Sequence, residues 1–527
     1  MPEREQVMKN HLLPFSHTGA FSQFFLDYIS RQPALEPFYH RFPSPESFGD
    51  QLSEKSAHFT ADRRRILHDS LRAQYGALSI SAATEHNLAS LLSAHTFTVT
   101  TGHQLNLFTG PLYFIYKIAT VINTCRRLAA LHPGKQFVPV YWMASEDHDF
   151  EEIRSFNLGN RSYTWQTEQQ GAVGRFTLKD LQPLLKEIPG DLTPFKEAYS
   201  TCTTLAEAVR HYVNALFGDE GIVVIDGDDA RLKSTFSTVM EADILNGTTR
   251  SLVEETNNRL STLGYTPQVF VRDVNFFWLG DGSRERIENH GEKWTVLNGG
   301  PTLSADELRA VIRETPERLS PNVILRPLYQ ETILPNLAYV GGPAENVYWL
   351  QLKSVFSHFK VPFPMLMPRN FVMMMDGPMT RLFEKTGISL EELFLPKNDL
   401  LNLVTRRYSV HELSLATEKV ASTSAFSRIR EQAGAIDPTL IKMVEAEQHR
   451  RLKGLEIIEK KMLRAERRRQ SDRLRQVETL KDNLFPGGGL QERTDNLLLF
   501  SQTDPGFIRT ILTALDPFEY AFNVLSA

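Results

Sequence analysis

Only two cysteines, Cys125 and Cys202, occur in 527 residues. That is too few for a disulfide framework or a thiolate zinc site, and it suits a reducing compartment. No apolar run approaches the roughly 18 residues that a membrane-crossing helix requires. The opening stretch, MPEREQVMKNHLL, lacks the basic-then-apolar order of a secretory leader, so a cytoplasmic location is the expectation. Net charge is only -5, which points away from nucleic acid and from an anionic membrane surface as partners. No segment repeats at a fixed period. No glycine-rich loop runs into Gly-Lys-Ser or Gly-Lys-Thr, which excludes a P-loop.

What is present suffices for a large globular chain. Hydrophobic residues make up 41%, ample for a core, and the length suggests about three modules. Residues 1–95 read as helical segments, 21–32 and 61–79, separated by the proline-rich stretch 33–45. From Thr96 the texture changes. The run Thr96–Thr101 reads as a buried strand ending in Gly102, a helix is predicted over Pro111–Leu128, and Phe137–Ala144 reads as a second apolar strand. Strand, loop, helix, strand is the order of a βαβ unit and hence of a parallel sheet. Gly221–Asp226 and Pro364–Pro368 add further core strands. Gln268–Arg272 and Asn275–Leu279 look like strands of a smaller insert. Residues 155–220 and 262–315 read as insertions in an α/β core occupying 1–394.

Beyond about residue 395 the chain turns charged, poor in glycine and proline, and periodic. From Pro438 to Leu484 apolar positions step mostly by threes and fours, as in a coiled-coil helix about 70 Å long at about 1.5 Å per residue. Arg469 and Asp472 fall on the seam and spoil its register. A helix near 409–433 would fold back on it, or a second chain would cover it. The basic run Arg464–Arg475 is interleaved with Glu466 and Asp472 and reads as a solvated face. Residues 395–484 thus form a helical arm, and 485–527 a segment expected to pack back on the core.

Chemistry-bearing residues cluster at strand ends. Thr101-Gly102-His103-Gln104 sits where a strand ends and a helix is about to start, the place where open α/β sheets bind ligands and helix N-termini meet phosphates. Gly102 permits close backbone approach, and His103 can donate to a phosphate or act as acid or base. Ser145-Glu146-Asp147-His148-Asp149 follows the second strand, and so many ionisable groups in a row call for a polar cleft. Lys117 reads as a solvated lysine. Gly341-Gly342 before an aromatic helix suggests a backbone-amide cradle for an anion, with Arg326 near it. The triple glycine 487–489 reads as a flexible turn after the long helix.

Together these segments resemble the cysteine-adding ligases of bacillithiol biosynthesis, the BshC family. The resemblance rests on Thr101–Lys117, Phe137–Asp149, Gly264–Arg272, Ser320–Gln351 and Leu484–Arg493, in the family's order and across nearly the whole chain. It implies a Rossmann-like parallel-sheet core with two connecting-peptide insertions, and a C-terminal coiled coil that makes a homodimer. It also implies ATP-dependent joining of cysteine to glucosaminyl-malate, with ATP or ADP as the nucleotide, Mg2+ as an optional companion and no zinc. Class I synthetases carry His-x-Gly-His and a Lys-Met-Ser-Lys loop. This chain has Thr-Gly-His-Gln at the first and no counterpart of the second, so the route of carboxylate activation stays open.

On this reading His103 and Gln104 serve the activated carboxylate or phosphate, while Glu146, His148 and Asp149 lie near the amine. Thr101, Gly102, Gly341, Gly342 and Arg326 contact substrate. Lys385, Gln491, Arg493 and Asn496 form a nucleotide pocket at the base of the arm, and no metal ligands are assigned. Two other classes stay open: a metal-dependent hydrolase or transferase built on Glu146–Asp149, and a nucleotide-binding scaffold without ligase activity.

Overall fold

In the computed structural model, which describes residues 8–159 and 161–527, five parallel strands form the central sheet. They are β1 (Thr96–His103), β2 (Gln136–Met143), β3 (Val223–Asp226), β4 (Asn336–Gly341) and β5 (Met365–Pro368). The spatial order is β5-β4-β1-β2-β3, so the chain builds outward from β1 in one direction and then returns to lay β4 on its other side. In open α/β sheets the ligand crevice lies at such a reversal, here between the carboxyl ends of β1 and β4. The strands are buried along almost their whole length because helices cover both faces, and in β1 the threonines alternate with Phe97 and Val99.

Helix α1 (Tyr113–Leu131) returns the chain from β1 to β2 and is buried over most of its first four turns. Helix α2 (Arg326–Ile333) and helix α3 (Pro343–Trp349) flank β4. The loop ahead of α1 is unusual: Phe108, Thr109 and Gly110 in succession have φ of 50°, 69° and 60°. Two of these are non-glycine residues in the left-handed region, a conformation that persists only where surroundings enforce it. Asn496 does so by donating from Nδ2 to the carbonyls of Phe108 and Gly110, each at 2.8 Å.

The two insertions are separate bodies of structure on the sheet. Between β2 and β3 lie a hairpin, Ser155–Leu158 with Arg161–Thr164, and helices packed around Trp165, Tyr199 and Tyr212. The second carries an antiparallel sheet that includes Phe276–Gly280, Ser283–Asn289 and Leu319–Pro321. Gln268–Arg272, read from sequence as a strand, is irregular. The Gln351 side chain takes its hydrogen bonds instead: Oε1 accepts from the amides of Gln268 and Val269, and Nε2 donates to the Val269 carbonyl. Phe270 is left 79% exposed.

Helices α4 (Ala416–Ile436) and α5 (Leu440–Arg469) form the arm. Ion pairs Lys419–Glu459 and Arg430–Glu445 set them antiparallel, at 2.6 and 3.4 Å. The single long helix expected to Leu484 breaks at Gln470, and α6 (Ser471–Leu484) continues from there. Arg469 and Asp472, the seam's two misfits, straddle that break. Gln470 donates to the Thr405 carbonyl, and α6 buries Leu474, Val477, Leu480 and Leu484 against the body. The last strand, Phe522–Ser526, then pairs with Lys9–Leu13 and with Phe371–Met375.

A buried bidentate ion pair locks this C-terminal segment to the core. Arg369 donates to both oxygens of Glu492 at 2.8 and 2.6 Å, and Glu492 also accepts from the Val372 amide at 3.0 Å. Removing one partner of such a pair strands a buried charge and costs about 3 kcal/mol or more. Glu492→Gln should therefore bring an earlier thermal or urea transition in which the segment 485–527 becomes protease-sensitive. An unchanged unfolding profile would show the clamp to be dispensable.

Candidate functional site

A cavity of about 810 Å3 opens at the carboxyl ends of β1, β2 and β4, where the strand order reverses. Lys117, Arg272, Arg284, Arg286, Arg326, Arg369 and Arg493 line it against Glu146, Asp147, Glu152 and Glu345. Cations outnumber carboxylates, so the cavity favours an anionic ligand.

Glu345, the third residue of α3, organises the floor. Its carboxylate accepts from Lys117 Nζ and the Tyr339 hydroxyl at 2.6 Å each, and from the Gly342 amide at 2.7 Å. Burial alone would lift its pKa, but these donors hold it down to about 2. Lys117, 4% exposed, also donates to the Gly102 carbonyl at 2.8 Å. It is a buried tie between β1 and β4, not the solvated lysine its sequence position suggests. Its approach to Gly102, and that of Tyr339 and Arg326, explains the glycine: a Cβ there would lie 3.2 Å from the Tyr339 hydroxyl and 3.6 Å from Arg326.

His103 faces the cavity with its ring stacked on Tyr113 at 5.1 Å. Nδ1 lies 3.0 Å from the Gln104 carbonyl, which fixes the proton there and leaves Nε2 as a buried acceptor without a partner among the described residues. Burial first, and then Lys117, push its pKa down to about 3. The imidazole is neutral at physiological pH, so the expected donation to a phosphate does not fit it. Gln104 donates from Nε2 to Asp147, while its Oε1 has no partner among the described residues.

The acidic cluster separates into unequal members. Asp147 lines the cavity and accepts from Gln104 and from the His148 amide at 2.7 Å, with Arg284 at 3.5 Å. Burial would raise its pKa, yet His148, Arg284 and Gln104 hold it well below the usual range. Glu146 also lines the cavity, paired with the fully buried Lys233 at 2.6 Å. His148 and Asp149 are corrections: both are exposed and neither lines the cavity. Asp147 caps the turn beneath them, and consecutive side chains diverge. His148 instead meets Arg284 from outside, at 3.1 Å.

Arg326 lines the cavity, carried by the first turn of α2. Its guanidinium lies 5.6–5.9 Å from the ring centroids of Trp142, Tyr339 and Trp349, and Nη1 donates to Gln330 at 3.1 Å. Among the described residues it forms no ion pair, which leaves its charge for a ligand. The glycine cradle needs revision. The Gly342 amide is taken by Glu345, and Gly341 is needed for packing, since a Cβ there would fall 2.5 Å from Asn346 Oδ1. Thr101 is likewise structural, its hydroxyl donating to the Val340 carbonyl at 2.8 Å.

The four residues expected to hold a nucleotide do not converge. Gln491 spends its amide on the Met374 backbone, Asn496 holds the strained loop before α1, and Lys385 is exposed on the helix Gly377–Thr386. Only Arg493 lines a cavity, and it lines two: the central one and a second of about 810 Å3 between Lys397, Lys481 and Gly487–Gly489. Among the described residues, no three His, Cys, Asp or Glu side chains gather as metal donors.

A Rossmann-like body with its cleft at the switch point and an appended helical arm defines a class of cleft-binding α/β proteins. The chain matches "Bacillithiol biosynthesis BshC, N-terminal Rossmann-like domain" over residues 8–370 and "Bacillithiol biosynthesis BshC, C-terminal coiled-coil domain" over 372–527. It is 41% identical over 504 residues to "Putative cysteine ligase BshC" of Cytophaga hutchinsonii, covering 96% of each chain. The proteins of that description from Christiangramia forsetii and Salinibacter ruber are 37% and 32% identical. They align with 98% and 93% of this chain and with 99% and 93% of theirs. The chain therefore belongs to the BshC family of bacillithiol biosynthesis.

Two outcomes follow from this geometry. His103 should show no imidazole titration between about pH 5 and 8 by NMR. Because its folded pKa lies below its ordinary 6.5, the stability it contributes is complete above that value and declines as pH falls toward about 3. A titration near 6.5 would mean that the ring is open to water. Second, citrate or pyrophosphate should bind Arg326→Gln at least about tenfold more weakly, the scale of a lost charge-assisted bond, with melting unchanged. Retained affinity would remove Arg326 from the anion site.

Proposed function

We propose that the protein is a cytoplasmic ATP-dependent ligase that forms an amide between the carboxylate of cysteine and the amine of glucosaminyl-malate. The observation that carries this reading is the pairing of opposite poles in one cavity: Arg326, a guanidinium without an ion pair, and Glu146, a carboxylate at the end of β2. The relatives' name, cysteine ligase, supports it. Arg326 would hold an anionic group of the substrates and Glu146 would face the amine. Gln104 Oε1 and His103 Nε2, acceptors without partners, would meet donors of the bound ligands. Asp147 and Arg284 hold Gln104 and the cavity wall in place.

ATP, when bound, supplies the activation that makes a carboxylate electrophilic. The cavity at the arm's base suits its phosphates, with Mg2+ as their companion: among the described residues Lys481 donates only to the Leu393 carbonyl, at 2.7 Å, and Gly487–Gly489 admit close approach. Arg493 stays in the set there, with Lys481 and with Lys397, which Asp482 holds at 2.7 Å, in place of Lys385, Gln491 and Asn496.

The arm would join two copies. Helix α4 buries no residue, and Val420, Ile436, Met443 and Ile458 are 50% exposed or more, an apolar seam that a two-helix hairpin leaves half covered. Replacing Val420, Ile436 and Ile458 together by Glu should convert a dimer to a monomer in light scattering. A dimer that survives would place the interface elsewhere.

The reaction itself is tested by incubating the pure chain with ATP, cysteine and glucosaminyl-malate and following thiol product and nucleotide together. AMP or ADP in proportion to product is expected and names the activation route. Bacillithiol loss in a deletion strain, combined with no product from the pure chain, would favour the scaffold.

A further inference from the structure

Lys233 belongs to no motif and lies outside the residues lining the cavity. It sits on the short helix Ala230–Ser234, after β3, and none of its side chain reaches solvent. An ammonium so placed must spend its donors within the protein. Its Nζ lies 2.6 Å from Glu146 Oε1, 3.0 Å from Asp228 Oδ1 and 3.2 Å from the Glu317 carbonyl. Two protons thus have hydrogen-bond acceptors, the ion pair with Glu146 closes the third side, and Lys233 is held from three directions. On Glu146, Oε1 is buried and faces Lys233 at 2.6 Å as an ion pair without accepting a hydrogen bond, while Oε2 accepts none among the described residues, and Glu146 lines the cavity.

We propose that Lys233 is a positioning residue that aims Glu146 into the cavity and keeps it ionised, so that the free oxygen binds the substrate ammonium and takes its proton. The proposal rests on Glu146 facing the amine. The step balances simply: one proton passes from the ammonium nitrogen to Glu146 Oε2, leaving a neutral amine with its lone pair and a carboxylic acid. Lys233 keeps its own protons.

The groups around Glu146 decide how it titrates. From the segment after β3 come Lys233 and Asp228, the latter also paired with Arg175 at 2.7 Å. From the insert strand comes Arg284, and from α2 the phenol of Tyr329. Asp226 stands behind Ser145, whose hydroxyl donates to it, and Asp147 is the next residue along. Burial is the largest influence on Glu146 and raises its pKa; Lys233 opposes it, Asp228 adds to it, and Arg284 lowers it. The net direction is upward, which suits a carboxylate that must accept a proton rather than merely pair. Asp228 goes the other way: burial would raise it, but Lys233 and Arg175 more than offset this. Glu146 and Asp228 therefore share one lysine, and removing either the lysine or the competing aspartate must move Glu146 in opposite directions.

The test is calorimetric binding of glucosaminyl-malate to the full chain between about pH 5 and 9, beside its N-acetylated analogue, which has no ammonium. In wild type, affinity for the free amine should fall on the acid side as Glu146 protonates, and the acetylated analogue should not share that limb. In Lys233→Met the limb should move up by about one pH unit or more, and in Asp228→Asn it should move down. Lys233→Arg should stay near wild type. Glu146→Gln should abolish the limb; if it keeps both limb and affinity, Glu146 does not face the amine and the underlying reading fails. If Glu146→Gln removes the limb but Lys233→Met and Asp228→Asn leave it unmoved or shift it together, Lys233 has only a structural role and the proposal is overturned. Should Lys233→Met not fold, the downward shift in Asp228→Asn decides.

Discussion

A carboxylate buried at the turn after a central strand needs a cation and several donors, and Glu345 finds them on three different elements. Lys117 comes from α1, the Tyr339 hydroxyl from β4 and the Gly342 amide from the turn itself. Lys117 in turn reaches the Gly102 carbonyl at the end of β1. The contact therefore ties together the ends of the two strands where the sheet order reverses. The parallel ladder pairs the two strands as far as Thr100 and Tyr339. Beyond it, this ion pair with its directed hydrogen bonds holds the ends together. The cleft has a defined floor for this reason, and a Cβ at Gly102 would crowd the Tyr339 hydroxyl that the contact holds, at 3.2 Å.

Most charges around the cleft are spoken for. Arg369 is held by Glu492, Arg284 lies beside Asp147, Lys233 is divided between Glu146 and Asp228, and Lys117 is held by Glu345. Buried charges held this way contribute little net attraction for a ligand, since their fields are already compensated. What remains among the described residues is Arg326 over its aromatic rings, the wall residues Arg272, Arg286 and Arg493, one open oxygen on Glu146, and acceptors without partners on His103 and Gln104. Ligand chemistry is set by this remainder and not by the full charge count.

Much of this fold was readable from the chain. β-branched runs ending in glycine or carboxylates gave β1, β2 and β3, and Pro364–Pro368 marked β5. The failures share a cause. A sequence does not say which way a side chain points once the backbone turns irregularly. In Glu146–Asp149 four ionisable groups looked equivalent, yet the turn capped by Asp147 sends His148 and Asp149 outward and keeps Glu146 and Asp147 inward. Lys117 could have been suspected, since Tyr113 and Lys117 lie four residues apart and so share a face of α1. Gln491 and Asn496 were unreadable because their roles are hydrogen bonds to backbone more than a hundred residues away. Lys233, in an ordinary short helix, carried no signal at all.

The arm shows the opposite case, a local flaw with a structural meaning. A seam that steps by threes and fours keeps one face of a helix apolar, and charges on that face must leave it somewhere. Arg469 and Asp472 do so by flanking the turn at Gln470, where the helix stops following its hairpin partner and starts following the body. Past that point Leu474, Val477, Leu480 and Leu484 are buried against the core rather than the arm. The helix that carries the arm's load into the body is the same one that delivers the chain to Gly487–Gly489, and from there to Glu492, which holds Arg369, and to Arg493 in the cleft wall. The register fault thus fixes where the arm ends, and with it the position of Arg493 beside the cleft.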